Sequence, residues 1–262
     1  MKLAIVIINY NTPGDTVACL ESIKKATLPK DLKIETTLVD NASSDDSIHI
    51  FKNKYPEINL IESPTNLGFA GGNNLGIQSA LIENPTHILL LNPDTLVDKN
   101  FFTHLLNSAI TEPQVGIVSP LIYFASGYEF QNRYSKKDLG KVIWYAGGIM
   151  DWNNVLGSHA HVDEVDHGEL NKPSDTDFAT GACMLIKRQV IDQIGLLNEK
   201  YFLYLEDLEF CQRAKRAGWQ IVFDPRPKVW HKVSQSSGIG SSLNDYFITR
   251  NRLLFGMKYT HF

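Results

Sequence analysis

Residues 3–8 form an unbroken apolar run, closed by Asn9-Tyr10-Asn11. A short run without polar alternation predicts a strand buried on both faces. Thr12-Pro13-Gly14-Asp15 is a turn, and Val17, Leu20 and Ile23 then recur at helical spacing across residues 15–26. The pattern repeats: a strand over 33–39, a helix over 43–55 with Ser and Asp available as caps, a short strand over 58–61, a loop running into a helix over 68–81, and a strand over 87–91. This rhythm predicts the α/β class, with a mostly parallel central sheet flanked by helices.

Three of these strands end in polar clusters: Asn9-Tyr10-Asn11, Asp40-Asn41 and Asn92-Pro93-Asp94. In an open parallel sheet the strand C-termini share one edge, and ligands bind in the crevice there. The rhythm alone therefore gathers Tyr10, Asp40 and Asp94. An Asp at such a rim can hold a divalent cation against a diphosphate, because Mg²⁺ favours one or two carboxylates plus phosphate oxygens. It can equally close a strand with an Asx-Pro turn.

Beyond Asp94 the regularity loosens. A helix is expected over 101–110, a strand over 116–123, a strand over 177–186, a short helix over 190–194, a helix over 206–217, a strand over 221–223 and a final helix over 243–259. Residues 125–141 and 153–175 are polar and loop-like, and 234–242 is a Ser/Gly loop. No repeat or linker divides the chain, so one domain over 1–262 is expected, regular over 1–98 and less regular over 99–262.

Composition narrows the function classes. The 262 residues are 43% apolar, ample for a core. A net charge of -4 gives no reason to expect nucleic acid as a partner, and neither a P-loop nor a G-x-G-x-x-G is present. Cys19, Cys183 and Cys211 are odd in number, far apart and make no C-x-x-C, as expected of reduced, buried thiols in a cytoplasmic protein. The N-terminal apolar run is too short for a signal peptide, and no stretch reaches transmembrane length.

Five motifs then occur in order: residues 6–11 (Val-Ile-Ile-Asn-Tyr-Asn), 39–45 (Val-Asp-Asn-Ala-Ser-Ser-Asp), the glycine-rich 66–76, Leu91-Asn92-Pro93-Asp94, and 204–211 (Tyr-Leu-Glu-Asp-Leu-Glu-Phe-Cys). Together they resemble the family 2 glycosyltransferases of GT-A fold, most closely the bacterial branch that includes the rhamnosyltransferases of cell-surface polysaccharide assembly. The resemblance spans nearly the whole chain. It implies an inverting, metal-dependent transfer of a sugar from a dTDP- or UDP-sugar to a hydroxyl of a glycan or lipid-linked glycan.

The resemblance implies that Asp40 accepts a hydrogen bond from a pyrimidine base, and Tyr10, with Asn11 beside it, could stack on that base or simply pack. It places 66–76 beside the nucleotide, through Asn66, Gly68 and Asn73. The four glycines there suit either close backbone approach to a ligand or close helix packing, and the helix start would favour anionic oxygens. Asn92 stands where the family has the first Asp of its D-x-D, leaving Asp94 as the charged ligand. His231, after a short apolar strand, would be the second ligand to Mg²⁺ or Mn²⁺, or a hydrogen-bonded loop histidine.

Asp207 would be the catalytic base. Glu206 sits about 100° round the helix and cannot aim at the same hydroxyl in the same way, and Glu209 is expected to pair with Arg213. Thr180-Gly181-Ala182-Cys183-Met184 could seat a sugar or merely pack tightly. His159, His161, Asp163, Asp166 and His167 are expected to be solvated loop residues, and Trp144, Tyr145 and Trp152 are either a sugar platform or core. On the last helix Arg250 is placed to reach the diphosphate on loop closure, and its basic and apolar residues also suit a peripheral membrane contact. Two other classes share parts of this pattern: a sugar-1-phosphate nucleotidyltransferase, disfavoured because 9–14 lacks a basic glycine-rich loop, and a non-catalytic nucleotide-sugar binding module, disfavoured by Asp94 and Asp207.

Overall fold

The computed structural model describes residues 1–233 and 242–260; the expected Ser/Gly loop over 234–242 lies outside them apart from Ser242. In chain order the elements are β1 (Lys2–Asn9), α1 (Pro13–Lys25), β2 (Lys33–Asp40), α2 (Ser47–Lys54), β3 (Asn59–Glu62), α3 (Gly68–Leu81), β4 (His87–Leu91), β5 (Thr95–Val97), α4 (Phe101–Thr111), β6 (Val115–Phe124), β7 (Ile143–Tyr145), β8 (Gly148–Asp151), β9 (Leu156–His159), β10 (Ser174–Asp175), β11 (Cys183–Lys187), α5 (Arg188–Ile194), α6 (Glu206–Arg216), β12 (Gln220–His231) and α7 (Ser242–Tyr259).

Ten strands form one sheet in the order β10-β12-β6-β11-β4-β1-β2-β3, with β5 pairing β12 and β7 pairing β6. β1, β2, β3 and β4 run parallel, as expected of the first half. Strand β11 is inserted antiparallel between β4 and β6, so the sheet is mixed at its centre. Strands β4 and β6 are buried throughout, which their continuous apolar runs require. The single sheet draws strands from both halves of the chain.

Four expectations change. The helix expected from residue 43 begins at Ser47, because Ser43 and Ser44 give their amides to the side chains of Asp40 and Asn11. The strand expected over 177–186 is confined to Cys183–Lys187, since the carbonyl of Phe178 is spent on the Tyr145 and Thr176 hydroxyls. The loop expected over 153–175 contains β9, which forms a hairpin with β8, and β10. The strands expected at 221–223 and 229–231 are one twelve-residue strand. Its register slips between Asp224 and Lys228, where a bulge accommodates Pro225 and Pro227.

Glycine-rich α3 lies against the sheet so closely that a Cβ on Gly76 would meet Val6 at 2.4 Å and one on Gly72 would meet Ile8 at 3.1 Å. Those two glycines therefore serve packing. At the opposite end of β4, His87 is buried beside Lys187, its register partner on β11, and its Nε2 has no hydrogen-bond partner among the described residues. Burial, with the Lys187 charge adding to it, pulls this imidazole down from its ordinary 6.5 to about 4. The unfolded chain thus takes up the proton first as pH falls, and stability present above 6.5 is lost between 6.5 and about 4. The loss is on the order of 2–3 kcal/mol by linkage. In urea titrations across that range, His87→Gln is expected to lose measurably less stability on acidification than the parent; parallel curves would show that His87 is not the group responsible.

Candidate active site

Strands β1, β2 and β4 deliver their C-terminal residues to one cleft, lined by Tyr10, Thr12, Asn41, Asn66, Gly68, Phe69, Asn73, Asn92, Pro93 and Asp94, with Phe202 and Leu203 from the segment before α6 and Leu243 from α7. Tyr10 stands exposed there, with its ring available to a flat ligand. Asn73 is buried and gives its side-chain amide to the carbonyl of Phe69. Asn11, in a left-handed conformation (φ 55°), holds the neighbouring loop by accepting from the amide of Ser44.

After β4 the chain turns at Pro93 and pairs with the end of β12, placing His231 opposite Thr95. This pairing brings Nε2 of His231 to 3.2 Å from Oδ1 of Asp94. The two are not aligned as a hydrogen bond: among the described residues, Oδ1 of Asp94 and Nδ1 of His231 are both buried without a hydrogen-bond partner. Burial works against the Asp94 charge, but the neighbouring His231, with Lys232 adding to it, holds its pKa below the ordinary value. Two donors each about 2.1 Å from an octahedral cation, at right angles, stand about 3 Å apart. The pair therefore fits a divalent cation. Among the described residues no cluster of three or more such side chains is present, so the remaining ligands would be oxygens from substrate and water.

Asp207, in the first turn of α6, accepts from the amide of Gly181 at 2.8 Å and from its neighbour Leu208 at 2.7 Å. A Cβ on Gly181 would meet the cleft-lining Phe69 ring at 2.8 Å and the Cβ of Asp207 at 3.6 Å. The next residue, Ala182, accepts from the amide of Asn92. Asp207 therefore adjoins the cleft edge that carries Asn92 and Asp94. Glu206 is buried, with Oε2 lacking a partner among the described residues. Burial, then the Asp207 charge, pushes its pKa well above the usual carboxylate range. Burial also raises Asp207, while the amides of Gly181 and Leu208 oppose the shift. The amide donors thus favour a charge on Asp207 over one on Glu206. Glu209 faces away and, besides the expected Arg213, pairs with Lys258 and Tyr259.

Residues 202–205 form a strained strap over this edge. Phe202, Tyr204 and Leu205 all have positive φ (61°, 69° and 66°), and the amide of Leu203 closes a three-residue turn onto Tyr201. Two contacts hold the strap. Asn251, fully buried on α7, donates to the carbonyls of Tyr201, Leu203 and Tyr204. The carbonyl of Phe202 accepts from the amides of Phe69 and Ala70, at the start of α3. The amides expected to favour an anion there are thus already engaged. Gly68 (φ 69°) permits this approach, since a Cβ on it would lie 2.5 Å from that carbonyl.

Two other expected residues lie off the cleft surface. Asp40 is fully buried, its oxygens held by Asn9 and by the amide of Ser43, so direct contact with a base does not follow from this arrangement. Arg250 donates to the carbonyl of Lys200 and to Asn251. Of the aromatic trio, Tyr145 is core, Trp152 stacks on Phe255, and Trp144 lies against His231. In the expected loop cluster, His161 pairs with Glu164 at the surface, whereas His159 packs among Trp144, Tyr145 and Phe178. Sequence reasoning passed over Asn9, Asn41, Asn74 and Asn251. Asn41 bridges Asn66, Leu67 and Gly68, and Asn74 ties α3 to Leu197 and Glu199. Asn inside a helical or strand pattern is itself a signal for such a tie.

Comparison with known proteins places this geometry. A family model described as "Glycosyltransferase like family 2" matches residues 2–256. The chain is 29% identical over 257 residues to the low-salt glycan biosynthesis hexosyltransferase Agl10 of Haloferax volcanii, covering 96% of this chain and 74% of that protein. It is 26% identical over 246 residues to the N-acetylglucosaminyl-diphospho-decaprenol L-rhamnosyltransferase of Mycobacterium tuberculosis, covering 90% and 78%. Among solved structures, GalNAc-T7 with UDP, GalNAc and Mn²⁺ superposes with a TM-score of 0.70 at 18% identity, over 88% of this chain and 44% of that one. The chain thus spans less than half of that structure, and the likeness is one of GT-A fold.

Gly68→Ala tests the strap. The added methyl would meet the Phe202 carbonyl in a backbone conformation that already disfavours it. A loss of about 1–3 kcal/mol is expected in chemical denaturation, with faster amide exchange at Phe69 and Ala70. Unchanged exchange at both amides would show that the strap does not depend on this approach.

Proposed function

The chain belongs to the family 2 glycosyltransferases, and from that premise we propose that it transfers a sugar, with inversion, from a dTDP- or UDP-sugar to a hydroxyl of a lipid-linked glycan. The observation that supports this reading is that Asp94 lines the cleft with His231 3.2 Å from it, while Asp207 is held by Gly181, which abuts the cleft-lining Phe69. The nucleotide lies across the ends of β1, β2 and β4, its base over Tyr10. Asp40 acts from beneath, fixing Asn9 and Ser43 and with them the loop carrying Asn11. Asn66, Gly68, Asn73 and Asn92 shape the wall beside the diphosphate. Asp94 and His231 would hold Mg²⁺ or Mn²⁺, which stabilises charge on the departing diphosphate by several kcal/mol.

Asp207 accepts the proton of the acceptor hydroxyl as that oxygen attacks the face of the anomeric carbon opposite the leaving group. General base assistance of this kind is worth about 10²–10⁴-fold. Its two amide donors aim the carboxylate, and burial of the adjacent Glu206 disfavours a second charge in the same pocket. Arg250 lies off the cleft, where it donates to the carbonyl of Lys200, just before the strap. L-Rhamnose is the sugar the Mycobacterium relative is named for, and it is the first donor sugar to test.

The lipid-linked acceptor is supported by α7. Leu243, Tyr246, Arg250, Leu253 and Met257 recur at three- and four-residue spacing and therefore share one face. The four apolar members of this stripe are exposed, and Leu243 also lines the cleft. The stripe thus leads from the cleft outward, as an amphiphile's tail would. No described helix is long and apolar enough to cross a membrane, so such contact would be peripheral.

Asp207→Asn is expected to lower release of nucleoside diphosphate by at least about 10²-fold while calorimetric binding of UDP or dTDP stays within about twofold. Near-normal turnover would remove Asp207 from the chemistry, and release of pyrophosphate by the parent would redirect the assignment to nucleotidyl transfer. Leu253→Glu with Met257→Glu is expected to abolish co-flotation with phosphatidylglycerol vesicles without changing nucleotide affinity. Equal flotation would sink the membrane contact.

A further inference from the structure

We infer that Trp144 is the positioning residue of the cation site, its indole holding the His231 ring in the orientation that turns Nε2 toward Asp94. This rests on the metal role proposed for Asp94 and His231. A metal-binding imidazole ordinarily has its second nitrogen fixed by a carboxylate, a backbone carbonyl or water, and that bond sets the ring orientation. Nδ1 of His231 is buried and makes no hydrogen bond to any of the described residues. What the ring does have is an edge-to-face contact with Trp144, centroids 4.5 Å apart at 82°.

Trp144 is in turn fixed independently of the cleft. It sits in β7, whose neighbours Ile143 and Tyr145 pair with β6. Its far contact is a second histidine: the His159 ring meets the indole at 4.5 Å and 76°, and Nδ1 of His159 lies 3.0 Å from the Trp144 carbonyl. His159 is packed against Tyr145 and Phe178 as well. Three rings therefore run His159, Trp144, His231 from the core of the second half to Asp94. Each meets the next at a steep angle, which restrains rotation about the imidazole axis. The direction of Nε2 is set by aromatic packing where other metal sites use a hydrogen bond.

The test compares the parent with Trp144→Leu, which keeps apolar bulk but no ring, and Trp144→Phe, which keeps a ring. Calorimetric affinity for UDP and for dTDP is measured for each, once in millimolar Mn²⁺ and once in EDTA. The parent is expected to bind one nucleotide more tightly with Mn²⁺. Trp144→Leu should lose about tenfold or more of that metal-dependent gain while matching the parent in EDTA, and Trp144→Phe should keep most of it. An undiminished gain in Trp144→Leu overturns the proposal, as does an equal loss in EDTA, which would make Trp144 a wall of the cleft. Absence of any Mn²⁺ effect in the parent, for both nucleotides, removes the cation site first and this inference with it. His159→Leu, altered one ring farther out, should show a smaller loss in the same direction, and no change there also counts against the proposal.

Discussion

The site depends on a three-residue strand. Because β5 turns back after Pro93 and pairs with the end of β12, an aspartate and a histidine separated by 136 intervening residues become neighbours across a sheet edge. The pairing also carries Lys232, whose amide donates to the carbonyl of Asp94 and whose ammonium reaches Asp15. Loss of that short ladder would leave Asp94 at the end of β4 with no partner for its charge.

A second constraint acts on the opposite wall. The strap at 202–205 holds three non-glycine residues in left-handed backbone, a conformation that persists only where the surroundings impose it. Here the imposition comes from α3, through its two N-terminal amides, and from α7, through Asn251. Because Asp207 follows directly on this strap, the aim of the carboxylate inherits whatever the strap does. In the buried pair Glu206 and Asp207, the group with two backbone donors is the one on which charge is favoured, since Oε2 of Glu206 has no partner among the described residues.

Much of this was legible in the residue pattern. Continuous apolar runs identify β1 and β4 because a strand covered on both faces has no use for alternation, whereas β2 alternates over its exposed first half and is continuously apolar only at Leu38-Val39. Their polar ends identify the rim because parallel strands leave the sheet in one direction. Asp94 and Asp207 stood out as carboxylates where a strand stops and a helix starts, and His231 as an imidazole at a strand end. What escaped notice was set by long-range contact. The apolar pattern shows only 221–223 and a short run before His231, and pairing with β6 is what joins them into β12 across a bulge at Pro225 and Pro227. The glycines of α3 looked equally suited to ligand approach and to packing; Val6 and Ile8 settle Gly76 and Gly72 for packing, while Gly68 makes room for a carbonyl. Asp40 resembled an exposed rim acid, yet Asn9 and Ser43 lie close enough to enclose it.

The contact at Gly181 bears on any effort to alter what this catalyst accepts. Its amide supports Asp207, and the space where its side chain would stand is filled by Phe69. Directed evolution tends to vary residues that line a binding cavity, and Phe69 would be among the first chosen. A smaller ring at that position would free the hydrogen at 181 to become a methyl, which would then stand in ordinary contact with the Cβ of Asp207, 3.6 Å away. Positions 69 and 181 are therefore sterically coupled and are best randomised jointly. Libraries that vary 181 alone would lose its variants to a collision with Phe69 and never sample the enlarged cavity.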